Sequence, residues 1–157
     1  MTQIPVTGIV PIAMMIGDEE EDTALLHQMY DDARSYLEAF SWCGSVIQSY
    51  FGVGIGGVVA VFLFQIQPVQ QYVDEWLWVI VGDIPSAYLV MDKSHTPVEA
   101  LRGYIEEMRK WVTLALEGRS SRDVIPVNAT ATPEWGKVLG DRLDVLERVH
   151  LPAENTD

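Results

Sequence analysis

Few residues in this chain could do chemistry, and they are scattered. Asp83 lies in Gly82-Asp83-Ile84-Pro85-Ser86, between two apolar runs, where a carboxylate at the mouth of a sheet could serve as a general base. Such work needs a partner, and Asp92, His95 and Glu75 stand near other strand ends. A two-strand hairpin would hold Asp83 and Asp92 at opposite ends of the sheet, about 20 Å apart at the usual rise per residue. The same five residues also make good turn chemistry: Gly tolerates positive φ, Asp bonds the backbone two residues on, and Pro ends pairing. The turn reading of Asp83 is the stronger. His95, directly before Thr96-Pro97, reads as a helix-entry residue in preference to a general base.

The remaining chemistry is thinner. His27 and Asp31 are four residues apart on one prospective helix face and could share a divalent cation with Asp32 or Glu38. On that helix there is no second histidine and no Glu-x-x-His pattern to complete such a site. Cys43, the single cysteine, follows Trp42 in an apolar stretch with no basic neighbour to stabilise a thiolate, so it reads as a buried small residue. "GVGIGG", residues 52–57, superficially resembles a phosphate-binding loop but lacks the lysine and the following helix. No catalytic constellation, metal or cofactor is expected from these residues.

Charge is the strongest compositional signal. The 157 residues carry a formal charge of −13, and residues 1–42 hold eight acids against Arg34 alone, a net of −7. The acids concentrate on one element. A chain so charged repels nucleic acid and anionic lipid and can attract a basic protein partner. Glu19, Glu20, Glu21, Asp31 and Asp32 are the candidate binding residues; the alternative is a merely solvated helix face.

Residues 39–73 contain no formal charge, which raises a membrane segment at 46–66 as a minor alternative. The glycines at 52, 54, 56 and 57, the β-forming Val58, Val59, Val61, Phe62, Phe64 and Ile66, and the absence of flanking Lys or Arg argue for a hairpin instead. The lone cysteine and the lack of a basic leader point to a reduced, cytoplasmic setting.

The elements that would position these residues follow from periodicity. Residues 18–40 predict a helix with Leu26, Met29, Ala33, Leu37 and Phe40 on its apolar stripe. Strands are predicted at 45–53, 58–67, 76–82 and 86–91. A second helix starts from the Thr96 cap, with Pro97 and Glu99 behind it, and ends at Gly118. A third opens at Thr132-Pro133 with Trp135, Val138, Leu139, Leu143, Leu146 and Val149 as its stripe. The order α-β-β-β-β-α-α implies an α+β fold: a four-stranded antiparallel sheet with one helix before it and two after. A single domain over 1–157 is expected, with 1–17 and 152–157 loose. Both alternating faces of "WLWVIV" are apolar, so three helices could leave one sheet face for a second copy. A homodimer through Trp76 and Trp78 is the expectation.

The succession "EWLWVIVGDIPSAYLV", "TPVEALRGYIEEMRKWV" and "IPVNATATPEWGKVLGDRLDVL" resembles a family of small uncharacterised bacterial proteins, over most of the chain after residue 31. The resemblance implies a bacterial, single-domain, cytoplasmic protein and transfers no activity and no functional residue. Two functional classes remain. One is a non-catalytic module, like small acidic immunity or antitoxin-like proteins, that presents its acidic helix to a basic partner. The other is a small enzyme or ligand-binding domain with a pocket between sheet and helices, built on Asp83, Asp92 or His95.

Overall fold

The computed structural model describes residues 7–70, 73–91, 94–119, 127 and 130–150. Its elements are β1 (Val10–Pro11), a 3-10 turn (Ile12–Met14), α1 (Glu20–Glu38), β2 (Ser45–Ile55), β3 (Val59–Gln67), β4 (Trp76–Gly82), β5 (Ile84–Val90), α2 (Pro97–Leu116), α3 (Pro133–Val145) and a π turn (Leu146–His150). The class is α+β, as expected. The sheet, however, has five strands in the order β1-β2-β3-β4-β5, all antiparallel neighbours, where the sequence predicts four.

The extra strand is only two residues long, too short for any alternation to reveal. Val10 and Pro11 pair with Phe51 and Tyr50, Met15 is buried, and the Thr7 amide donates to the His95 carbonyl at 3.3 Å. Thr7, Val10, Pro11 and Met15 thus contact the rest of the fold, while residues 1–6 of the segment expected to be loose lie outside the described set. Residues 152–157 lie outside the described set.

The chain divides into two compact units, Met1–Ala100 and Leu101–Asp157, with the boundary inside α2. In the first unit the core lies between α1 and one face of the sheet. Leu26, Met29, Ala33 and Leu37 recur at helical spacing and meet Ala60, Phe62, Phe64 and Ile66 of β3 and Leu77, Val79 and Val81 of β4. Tyr30 sits against Phe62 and Phe64, its ring centroid 5.7 and 5.9 Å from theirs, and its hydroxyl donates to Ser49 Oγ at 3.0 Å. Burying side chains of this size stabilises the fold by roughly 1.5–3 kcal/mol each. The opposite alternating set, Val59, Val61, Leu63, Trp78 and Ile80, is buried too. The charge-free run is thus a β-hairpin, and among the described residues no helix is long and apolar enough to cross a membrane.

Turn chemistry fixes the two hairpin ends that matter here. Ile55–Val58 closes β2 on β3 through Val58 N donating to Ile55 O at 2.9 Å, with Gly57 at φ +80°, a value that glycine adopts without strain. Gly82 leaves β4 at φ +148°, and a Cβ there would meet the Val58 carbonyl oxygen at 2.2 Å, so a side chain is excluded on two counts. Pro85 does not end pairing as the sequence suggests. It lies inside β5, an edge strand, where the register with β4 shifts between Ile80 and Gly82, and edges and bulges are where strands tolerate proline.

In the second unit α2 and α3 are tied by Arg109, which reaches Asp144 at 2.9 Å and also Glu147. Leu139, Leu143 and Leu146 are buried, as the predicted stripe requires, whereas Trp135 and Val138 are exposed. Both sets recur at helical spacing, so periodicity alone could not say which one finds a core.

Candidate functional site

The candidate site is the outer face of α1 with the hairpin tip beside its N-terminus. Glu19 is the N-cap residue, with an extended backbone and no side-chain capping bond. Side chains of the first turn hold the chain that leads into it instead: Gly17 N donates to Thr23 Oγ1 at 2.8 Å, and Asp18 N donates to Asp22 Oδ2 at 2.9 Å. Three acids in the first turn, Glu20, Glu21 and Asp22, suit the positive end of the helix dipole.

Asp22 differs from its neighbours. Its Oδ1 accepts from Gly56 N at 2.5 Å, so one carboxylate bridges the helix start and the β2–β3 turn. Gly57 N donates to Met29 Sδ at 3.3 Å, about two turns further along the helix. A Cβ on Gly56 would meet Asp22 Oδ1 at 2.5 Å and Leu25 Cβ at 2.7 Å, which explains why "GVGIGG" ends in a glycine pair: the tip seats on α1 and cradles no phosphate. Sequence reasoning counted Asp22 only as one acid among eight, because its partner stands 34 residues away. Leu25, Ile55 and Val58 flank this junction and remain exposed.

Glu19, Glu20, Glu21, Asp31 and Asp32 are all exposed, off the buried stripe of α1. Arg34, the one cation in residues 1–42, is engaged by its own surroundings: its guanidinium donates to the Tyr30 hydroxyl at 3.2 Å and to Glu38 at 3.1 Å. The Tyr30 hydrogen bond first, and then Glu38, hold its pKa above the ordinary arginine value. The face therefore presents carboxylates with little internal neutralisation.

The other candidates stand on separate elements. Asp83 is exposed at the β4–β5 turn, where its amide donates to the Val58 carbonyl at 3.0 Å. Asp92 lies outside the described residues. His95 contributes backbone: its amide donates to Glu99 Oε1 at 2.7 Å, while Glu99 N donates to Thr96 Oγ1 at 3.1 Å, which closes the helix entry. His27 is exposed, and among the described residues no three of His, Cys, Asp or Glu come together as a metal site. Cys43 is buried, and desolvation raises its thiol pKa, helped by Glu38 and partly offset by Arg34.

Trp78 is fully buried, with its indole N–H donating to the Ser94 carbonyl at 3.0 Å, so it belongs to the interior of the chain and not to an exposed contact. Trp76 is half-buried against Tyr50, at a centroid distance of 6.4 Å. Both alternating sets of β3 and β4 are buried, Val59, Val61, Leu63 and Ile80 as well as Trp78. No family model, no curated protein and no solved structure matches this chain.

Proposed function

We propose that this chain is a non-catalytic protein-binding module that presents the outer face of α1 to a basic partner, in the manner of small acidic immunity or antitoxin-like proteins in the bacterial cytoplasm. The observation that supports this most is the separation of roles on one helix. Leu26, Met29, Ala33 and Leu37 are buried, Asp22 is bound into the fold, and Glu19, Glu20, Glu21, Asp31 and Asp32 stand free of the core on the other side. Exposed acids at this density act over a Debye length, so they steer encounter more than they tighten the complex.

The test is capture from the source cell at low salt, followed by association kinetics with the purified partner. Converting the five acids to Gln or Asn should leave the melting profile in place, since each contributes only a few tenths of a kcal/mol to helix stability. The variant should associate more slowly and with a flatter salt dependence. Asp83→Asn should bind like the parent. If the five-fold variant bound as well as the parent while Asp83→Asn abolished activity, the β4–β5 turn would be the site and the module reading would fail.

A further inference from the structure

Four aliphatic side chains left in solvent gather around the Asp22 clamp. Leu25, Ile55 and Val58 are 39%, 40% and 36% exposed, and Ile16 is 75% exposed. Ile55 and Val58 bracket the Gly56-Gly57 tip, a Cβ on Gly56 would lie 2.7 Å from Leu25 Cβ, and Ile16 adjoins Gly17, where a Cβ would run into the Asp22 carboxylate. Segments far apart in the sequence thus place apolar side chains in one corner, between the start of α1 and the end of the hairpin. Its rim is acidic. Glu21 and Asp32 lie on the same helical stripe as Leu25, one turn before it and two turns after, and both are exposed. Arg34 is the only Lys or Arg in residues 1–91, and it is held by Tyr30 and Glu38. Apolar surface rimmed by charge marks protein contacts.

We propose that this corner seats an apolar side chain of the basic partner, with Lys or Arg on either side of it facing Glu21 and Asp32. The basic partner is that of the module reading, on which this rests; the corner adds where its apolar anchor goes. The rim selects that occupant. A second copy docked face to face on a two-fold axis would bring the same carboxylates onto one another, with no free cation in these segments to separate them, and an anionic lipid surface would meet the same repulsion. A basic amphipathic segment meets neither obstacle. Its charges are complemented along α1, and its apolar side chain leaves water beside Leu25, Ile55 and Val58. The two kinds of contact act at different stages. Carboxylates act over a Debye length and set the association rate, whereas the apolar contact exists only after docking and sets the dissociation rate.

Two end-blocked peptides of equal charge, Lys-Lys-Trp-Lys-Lys and Lys-Lys-Ser-Lys-Lys, are the probes, titrated into the isotope-labelled full chain at low salt and followed by amide chemical shifts. The Trp peptide should shift the Leu25, Gly56 and Gly57 amides and bind about tenfold more tightly than the Ser peptide. Leu25→Ser and Val58→Ser, both at exposed positions, should keep the parent's circular dichroism and bring the Trp peptide down to the affinity of the Ser peptide. Neutralising the five acids should weaken both peptides alike. Equal binding of the two peptides, or a Trp-peptide affinity unchanged in both serine variants, overturns the apolar anchor and leaves the module reading in place. Peptide binding that ignores the loss of the five acids overturns both. Shifts of the same amides as the free chain is concentrated would assign the corner to a second copy, and shifts on uncharged phosphatidylcholine vesicles would assign it to lipid; either result overturns the proposal.

Discussion

Glu20, Glu21 and Asp22 are consecutive acids of one type, yet only Asp22 reaches another element. Its carboxylate accepts from Asp18 N and Gly56 N, and removing it leaves two amides without their acceptor. Asp22→Ala should lower stability by about 1–3 kcal/mol, while Glu20→Gln should change it by less than about 0.5 kcal/mol. Urea midpoints read the difference, and equal midpoints would remove the clamp. Nothing local in the sequence separates these residues. The distinction comes from a turn whose glycine pair was legible as a turn but not as a seat for α1.

Where short-range physics decides, the elements were readable. β4 runs over Trp76–Gly82 as predicted, and the Thr96 and Thr132 hydroxyls accept from Glu99 N at 3.1 Å and Trp135 N at 3.3 Å. Thr96→Ala should cost about 1 kcal/mol and leave partner binding unchanged. Loss of binding at unchanged stability would mean that this helix entry is itself a functional loop. The missed elements share one cause, dependence on a distant neighbour. β1 is a strand only because Phe51 and Tyr50 pair with it, β5 accommodates Pro85 only because it is an edge, and α3 carries two stripes of equal periodicity of which packing selects one.

The stability of the whole molecule should carry a pH signature from the aromatic group at the end of α1. Tyr36 packs edge-on to Phe40, and Phe40, Trp42 and Tyr88 lie with ring centroids 5.0–5.3 Å apart. Burial, with a smaller contribution from Tyr88, pushes the Tyr36 pKa up to about 12 from its ordinary value of 10.0. A raised folded-state value means that the folded chain holds this proton more tightly than the unfolded chain. Its stabilising contribution is therefore complete below about pH 10 and is lost as pH rises to about 12. Urea midpoints for the parent should fall across that window, and Tyr36→Phe, which has no proton to lose, should fall less. A parallel decline of the two would show that another group governs alkaline unfolding.

By itself the sequence determined the α+β class, the helix stripe from Leu26 to Leu37, the helix entries at Thr96 and Thr132, and the hairpin made of the charge-free run, because each rests on periodicity or on contacts within about four residues. It also concentrated the charge on α1, which is a matter of counting. Tertiary structure alone decided that Asp22 is bound and Glu20 is not, that Trp78 is interior while Trp135 is exposed, and that both alternating sets of β3 and β4 are buried in one chain. Those outcomes depend on which surfaces meet across tens of residues, and free energies of packing between distant segments leave no periodic trace in the chain that carries them.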